Sequence, residues 1–307
     1  MAESGPKVRF LTVEEDGHDQ RVDNYLVKIL KGVPKSRIYR MLRKGEVRVD
    51  GGRAKPTLRL RQGQTVRIPP VVSTQALAQA PPTGYVDALE SAVIAETDDY
   101  LVIAKPSGVA VHGGSGVRLG LIESLRASRG GFLELVHRLD RDTSGVLMIA
   151  KRRAVLRDLH QAFRARQTVK RYRLLVHGQF ERPQEVRLQL ARWLTPSGER
   201  RVQLSRSGQS AHTSFQPLVS GQQVSTVEAQ LHTGRTHQAR VHALALGHPI
   251  VGDEKYLPDH LVEHPANRAA GRLMLHAHSL GIVLQGERLR FEAPVPEAFE
   301  RVQTLIG

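Results

Sequence analysis

The chain has no cysteine in its 307 residues, which excludes disulfides, thiolate nucleophiles and cysteine-ligated zinc or iron–sulfur centres. No run of about 18 apolar residues occurs, so no membrane-spanning helix is expected. The opening MAESGPKVRF lacks the apolar core of a secretion signal, and a soluble, cytoplasmic protein with no membrane association is the expectation. The glycine-rich HGGSGVRLG lacks both the GxGxxG spacing and the Lys-Ser/Thr of a phosphate loop, so no nucleotide cofactor is expected. No GxSxG elbow of a serine hydrolase is present. The 14 histidines include His232, His237, His242 and His248, but these are spaced 5, 5 and 6 apart. A helical ligand pair needs i, i+4, so no metal site is expected either. Acidic residues are also in short supply, 30 against 45 Lys and Arg, for a net charge of +15. That imbalance points to a polyanionic partner, nucleic acid ahead of a membrane surface.

A hydrophobic content of 40% supports a real core, in one large domain plus a small one. The positive excess is concentrated in two segments. Residues 28–67 carry thirteen Lys/Arg against two Asp/Glu, and residues 141–173 carry ten against two. In the first segment, DQRVDNYLVKILKG places Val22, Tyr25, Leu26, Ile29 and Leu30 at i, i+3, i+4, i+7 and i+8, one face of an amphipathic helix closed by Gly32. The next stretch, KSRIYRMLRKG, has Ser36 as a candidate N-cap and Gly45 as a stop. Ile38, Met41 and Leu42 form its apolar stripe, while Arg37, Arg40 and Lys44 share another face. A helix with one core side and one basic side suits contact with phosphates. EVRVDG and QTVRIPP alternate like short strands, with a turn at Gly51–Gly52. In order and spacing, residues 20–70 resemble the small RNA-binding domain of the S-four type. The resemblance implies RNA contacts at Lys35, Ser36, Arg37, Arg40, Arg43 and Lys44.

The stretch PPVVSTQALAQAPPTGY has neither period and reads as a linker. Beyond it AVIAETDDYLVIAKP suggests a hairpin, and FLELV, GVLMIAK, VKRYRLLVHG, STVEAQL and GIVLQG suggest further strands. GLIESLRAS, RAVLRDLHQAFRARQ and RTHQARVHALALG read as helices between them. Strands with a few interspersed helices argue an α+β fold with a mixed or antiparallel sheet. The expected organisation is an N-terminal extension (1–19), a small helix-rich RNA-binding domain (20–72), a linker (73–90) and a larger catalytic domain (91–307).

One motif concentrates charge where a strand ends: HRLDRDTSG, residues 137–145. Asp140 lies between Arg138 and Arg141, which are expected to keep its carboxylate ionised. Such a group is either a structural ion cluster or a carboxylate held for chemistry, as nucleophile, base or charge stabiliser. Taken in order, AKPSGVAVHGG, HRLDRDTSG, KRYRLLVHG and HTGRTHQARVHALALGHPIVGDEKY resemble the RluA-type pseudouridine synthases over residues 90–295. Within that family the chain is most similar to the group acting on large-subunit ribosomal RNA, the synthase C group. The resemblance implies isomerisation of uridine to pseudouridine by a monomer, without cofactor or metal.

By the same resemblance Asp140 is the catalytic aspartate, and Arg138 fills the RNA stack vacated by the flipped uridine. Tyr172 stacks on uracil and serves in proton transfer, and Arg235 pairs with Asp140. His137, Thr143, Thr236 and His237 contact substrate, and Leu275 floors the base. Two positions depart from the family pattern. Ala239 stands where a larger aliphatic residue is usual, and Gln209 where a basic one is common. Whether Asp140 adds to the sugar or removes a sugar proton stays open at this point. So do two rivals: a non-catalytic ribosome-assembly factor, and a hydrolytic nucleosidase that would need a second carboxylate.

Overall fold

In the computed structural model of the chain, the described residues are 8–30, 33, 35–71, 83–113, 119–195 and 198–306. Gly32, Gly114, the side chains of Lys35 and Ser36, and the linker over residues 73–82 lie outside them. The chain divides into two compact units, Met1–Ala80 and Pro81–Gly307.

In the first unit the amphipathic pattern becomes α1 (Val22–Ile29), after strand β1 (Arg9–Thr12). Helix α2 (Lys35–Lys44) follows, then β2 (Arg48–Val49), β3 (Gly52–Arg53) and β4 (Thr65–Ile68). Val22 and Leu26 of α1 pack against Ile38, Met41 and Leu42 of α2 and against Val66 and Ile68 of β4, all buried. α2 ends at Gly45, whose φ of +68° is the left-handed geometry a helix stop requires. The Gly45 N–H donates to the Leu42 carbonyl and the Glu46 N–H to that of Met41.

Three details differ from the sequence expectation. Residues 9–12, placed in an extension, pair antiparallel with β4 in a sheet ordered β1-β4-β2-β3. α2 starts at Lys35, so Ser36 lies within its first turn rather than ahead of it. The tight turn uses Asp50 and Gly51, with φ of 48° and 77°, because a two-residue hairpin of this hand needs positive φ at both central residues.

The second unit begins with α3 (Thr83–Ser91), inside the stretch read as linker; its Leu89 is buried. Next come β5 (Val93–Glu96), β6 (Tyr100–Lys105), α4 (Leu121–Arg129), β7 (Glu134–Leu135), β8 (Ser144–Ala150) and α5 (Arg153–Arg164). A run of long strands follows: β9 (Thr168–His177), β10 (Gln184–Leu194), β11 (Arg200–Leu204), β12 (Gln209–Val219) and β13 (Val224–Leu231). The chain closes with α6 (Gln238–Ala245), α7 (Pro265–Ala270), β14 (Leu275–Leu284), β15 (Glu287–Glu292) and α8 (Ala298–Ile306). The main sheet runs β11-β10-β12-β13-β9-β14-β8-β6-β5, with β15 beside β14 and β7 beside β8.

β8 is buried along its whole length because both of its faces are covered. Leu147 and Ile149 meet α3 and α4 on one side; Val146 and Met148 meet α5 on the other. Its partner β14 runs parallel to it, whereas the other strand pairs among the described residues are antiparallel. At that seam Gly145 has φ +116°, and a Cβ there would stand 2.2 Å from the Ala277 carbonyl oxygen. Gly145→Ala is therefore expected to destabilise this unit by at least ~2 kcal/mol. Urea unfolding followed by the fluorescence of Trp193, the single tryptophan, measures it; an unchanged midpoint would refute the steric argument.

Candidate active site

Asp140 sits in the tight turn that feeds β8, where the Thr143 N–H donates to the Asp140 carbonyl. The turn is held from outside. Lys105, the last residue of β6, is buried and its Nζ donates to the carbonyls of Pro106, Val109 and Arg141 at 2.8, 2.8 and 2.9 Å. Ser107 Oγ donates to the Asp142 carbonyl at 2.6 Å. The loop after β6 is thereby tied to the two residues that follow Asp140. Burial pushes the Lys105 ammonium down to about 7, while its three carbonyl acceptors match the three N–H bonds of the charged form. Lys105 was not among the expected site residues. Its signal is a lysine at the end of the apolar strand YLVIAK, directly before Pro106.

A cavity of about 180 Å³ opens at this turn, and Arg138, Asp140, Thr143, Tyr172, Arg235, Thr236, His237 and Leu275 all line it. Tyr172 projects from β9, opposite Ala229 of β13. Burial, and next the charge of Asp140, push its phenol well above the usual tyrosine range. Leu275, the first residue of β14, is buried and supplies apolar wall together with Leu139, Leu231 and Ala239. Thr143 is buried, whereas Arg138 is exposed at the rim. The cavity thus has an apolar wall, an aromatic side, one carboxylate and cationic groups at its mouth.

The expected pairing of Arg235 with Asp140 does not form. Arg235 Nε donates instead to the Ser210 carbonyl at 3.1 Å. The loop carrying Arg235 is pinned by Gln238, whose Oε1 accepts from Thr233 Oγ1 and from the Arg235 N–H. Gln238 Nε2 in turn donates to the His212 carbonyl and to Thr213 Oγ1. That anchorage directs the guanidinium toward β12. Among the described residues, the basic group within 4.0 Å of the carboxylate is His237, with Nε2 3.8 Å from Oδ2. Arg141, also expected beside Asp140, pairs with its neighbour Asp142 at 2.9 Å. Thr236 Oγ1 accepts from Arg192 Nη2 at 3.0 Å, which adds Arg192 to the rim.

His137, expected to contact substrate, does not line the cavity. Its ring stacks on Phe163 at 5.2 Å, and its Nε2 accepts from the Met148 N–H at 3.1 Å. Burial pushes its pKa down to about 4, so the ring is neutral and able to accept that bond. It anchors β8 to α5. The spaced histidines have separate protein partners: His232 meets Ser214 Oγ, His237 the Tyr256 hydroxyl, His242 Thr213 Oγ1 and His248 the His177 carbonyl. Of the expected RNA-contacting residues on α2, Arg40, Arg43 and Lys44 are exposed, while Arg37 lies 3.4 Å from Glu46. No helix among the described residues is long and apolar enough to cross a membrane.

Comparison with known proteins places this geometry. Residues 99–245 match the RNA pseudouridylate synthase family, and residues 20–66 match the S4 domain. The ribosomal large subunit pseudouridine synthase C of Pasteurella multocida (strain Pm70) is 45% identical, covering 96% of this chain and 93% of its own. That of Escherichia coli (strain K12) is 45% identical over 98% and 97%. Among solved structures, human RNA Pseudouridylate Synthase Domain Containing 4 is similar with a TM-score of 0.60 and 28% identity, over 72% of this chain and 95% of that one. Human RNA Pseudouridylate Synthase Domain Containing 1 gives 0.58 and 29%, over 70% and 85%. On these matches the chain, with an S4 domain ahead of its large sheet, belongs to the RNA pseudouridylate synthase family.

Proposed function

We propose that this chain converts uridines of large-subunit ribosomal RNA to pseudouridine, with Asp140 as the reacting carboxylate. The observation that carries the reading is the convergence of Asp140, Tyr172, Arg138 and Leu275 on one cavity, in a chain 45% identical over nearly its full length to large-subunit synthases of group C. In the isomerisation the bond from the sugar C1′ to uracil N1 breaks and C1′ bonds to C5. The C5 proton leaves and N1 gains one, so nothing is oxidised or reduced.

A base inside an RNA stack is out of reach, so the uridine has to flip into the cavity, at a cost of a few kcal/mol. Arg138, exposed at the rim, is the residue proposed to fill the gap. Tyr172 offers its ring to the uracil face and Leu275 the apolar floor, while Thr143, Thr236, His237 and Arg235 line the remaining wall. Either addition of the carboxylate to C1′ or removal of a sugar proton is open to an ionised Asp140. In the S4 domain, Arg40, Arg43 and Lys44 present exposed charge suited to phosphates, and Lys35, Ser36 and Arg37 are proposed as further RNA contacts on the same helix. The proposed setting is the cytoplasm, where bacterial ribosomal RNA is made, and the proposed working form is a monomer.

A large-subunit RNA transcript carrying tritium at uridine C5 tests the proposal. The full chain is expected to release tritium to water without releasing free uracil. Free uracil would mean hydrolysis and would overturn the isomerase reading, and equal turnover on transfer RNA would overturn the ribosomal target.

A further inference from the structure

Of the arginines that line the cavity around Asp140, Arg235 turns to Ser210 and Arg192 to Thr236, while Arg141 in the next position pairs with Asp142. What faces Asp140 is His237, and His237 is held with unusual care. It heads α6 with φ +53°, a left-handed geometry uncommon for a residue with a side chain and a frequent mark of a functional position. Its Nδ1 lies 2.6 Å from the Tyr256 hydroxyl. That hydroxyl oxygen also accepts from the Val202 N–H at 2.9 Å.

These two contacts set the proton inventory. A phenol has one proton to give. With Val202 donating to its oxygen and no acceptor for the hydroxyl other than His237 among the described residues, the Tyr256 O–H donates to His237 Nδ1. The proton of the neutral imidazole then resides on Nε2, the nitrogen that faces Asp140 Oδ2 at 3.8 Å. Burial pushes the His237 pKa down, in keeping with a neutral ring.

Tyr256 is itself fixed. Its backbone N–H donates to Asp253 Oδ1 at 3.1 Å, and the Arg240 guanidinium carbon lies 4.9 Å from its ring centre. Arg240 Nε donates to Asp253 Oδ2 at 2.7 Å, with both residues buried. The chain of support runs from a buried ion pair through a tyrosine to a histidine and ends at the carboxylate.

We propose that Tyr256 and His237 form a positioning relay for Asp140, in which the tyrosine hydroxyl selects the Nε2–H tautomer and that N–H orients the carboxylate toward the bound nucleotide. The relay rests on the assignment of Asp140 as the reacting group. The 3.8 Å separation is longer than a hydrogen bond, and it closes to one when the nucleotide occupies the cavity, as contacts of this kind tighten in substrate complexes.

The test uses the full chain and the tritiated transcript under single-turnover conditions with saturating RNA. Tyr256→Phe and His237→Ala are expected to slow the chemical step by about 10- to 100-fold, the range for losing an outer hydrogen-bond partner of a site histidine. RNA affinity of Tyr256→Phe, at a position that does not line the cavity, should stay unchanged. His237→Gln, whose amide N–H can reach the place of Nε2–H, should recover most of the loss. In the unmodified protein, the ¹⁵N shifts of the His237 ring should report protonation at Nε2. A Tyr256→Phe rate equal to that of the parent, or a ring protonated at Nδ1 alone, overturns the relay. The assignment of Asp140 fails separately, by turnover in Asp140→Asn. An inactive Asp140→Asn beside a fully active Tyr256→Phe discards the relay and leaves that assignment standing.

Discussion

Asp140→Asn is expected to abolish pseudouridine formation, lowering single-turnover conversion by at least ~10,000-fold, the scale on which removing a nucleophile acts. Both routes open to this residue need an ionised oxygen, one to bond to C1′ and the other to accept a sugar proton. The asparagine amide is close in size and shape but is neither a nucleophile nor a base of the necessary strength. RNA affinity should change little, because Asp140 is one half-buried carboxylate among many cationic contacts. The turn that holds it is tied through Lys105 and Ser107 to backbone carbonyls, and none of those bonds uses the Asp140 side chain. A variant that binds the transcript and releases no tritium is the expected outcome. Turnover within a hundredfold of the parent would remove Asp140 from the chemistry.

Asp253→Ala carries the largest expected effect on stability. Arg240 and Asp253 are 3% and 1% exposed, so neither charge has water to fall back on. Removing the acid strands a buried guanidinium, and breaking such a pair costs about 3–5 kcal/mol. The Asp253 carboxylate also accepts from the backbone N–H groups of Lys255 and Tyr256, which lose that partner too. In a unit of this size the loss corresponds to a fall in melting temperature of roughly 10 °C. Trp193 lies in β10, so its fluorescence follows the unit that contains the pair. Replacing both residues, as Arg240→Met with Asp253→Leu, should recover much of the loss, since no charge is then left buried alone. An undisturbed transition in Asp253→Ala would show that the pair contributes little to the fold.

The elements with strong period were legible before any coordinates. α1, α2 and α5 follow their 3.6-residue apolar stripes, and β8 is a continuous apolar run because it is covered on both faces. The strands β10 and β12 were not read. Their side chains are exposed at positions on both faces, which blurs the alternation that marks a half-buried strand. α8 escaped for a similar reason, with Phe299 and Val302 as its buried residues.

At the candidate site, the family resemblance named Asp140, Tyr172 and Leu275, and all three line one cavity. The motifs did not determine which cation faces the carboxylate. Arg235 and His237 are two residues apart, and the choice between them depends on the left-handed backbone at His237 and on Gln238 anchoring the loop to β12. Those contacts span 25 residues or more, beyond the reach of any local pattern. His137 was expected to contact substrate by the family resemblance alone, whereas its orientation is set by Phe163 and the Met148 backbone.

The parallel seam between β8 and β14 has a temporal consequence. Ser144 and His276 are register partners there, 132 positions apart in the chain, and Leu275 takes its place in the cavity only when β14 docks. A nascent polypeptide emerges from its amino end, so the Asp140 turn exists long before its floor does. Closing so distant a contact is slow compared with forming local helices. The pocket is therefore among the last features to mature, and a chain interrupted before residue 275 would carry the Asp140 turn without a completed chamber around it.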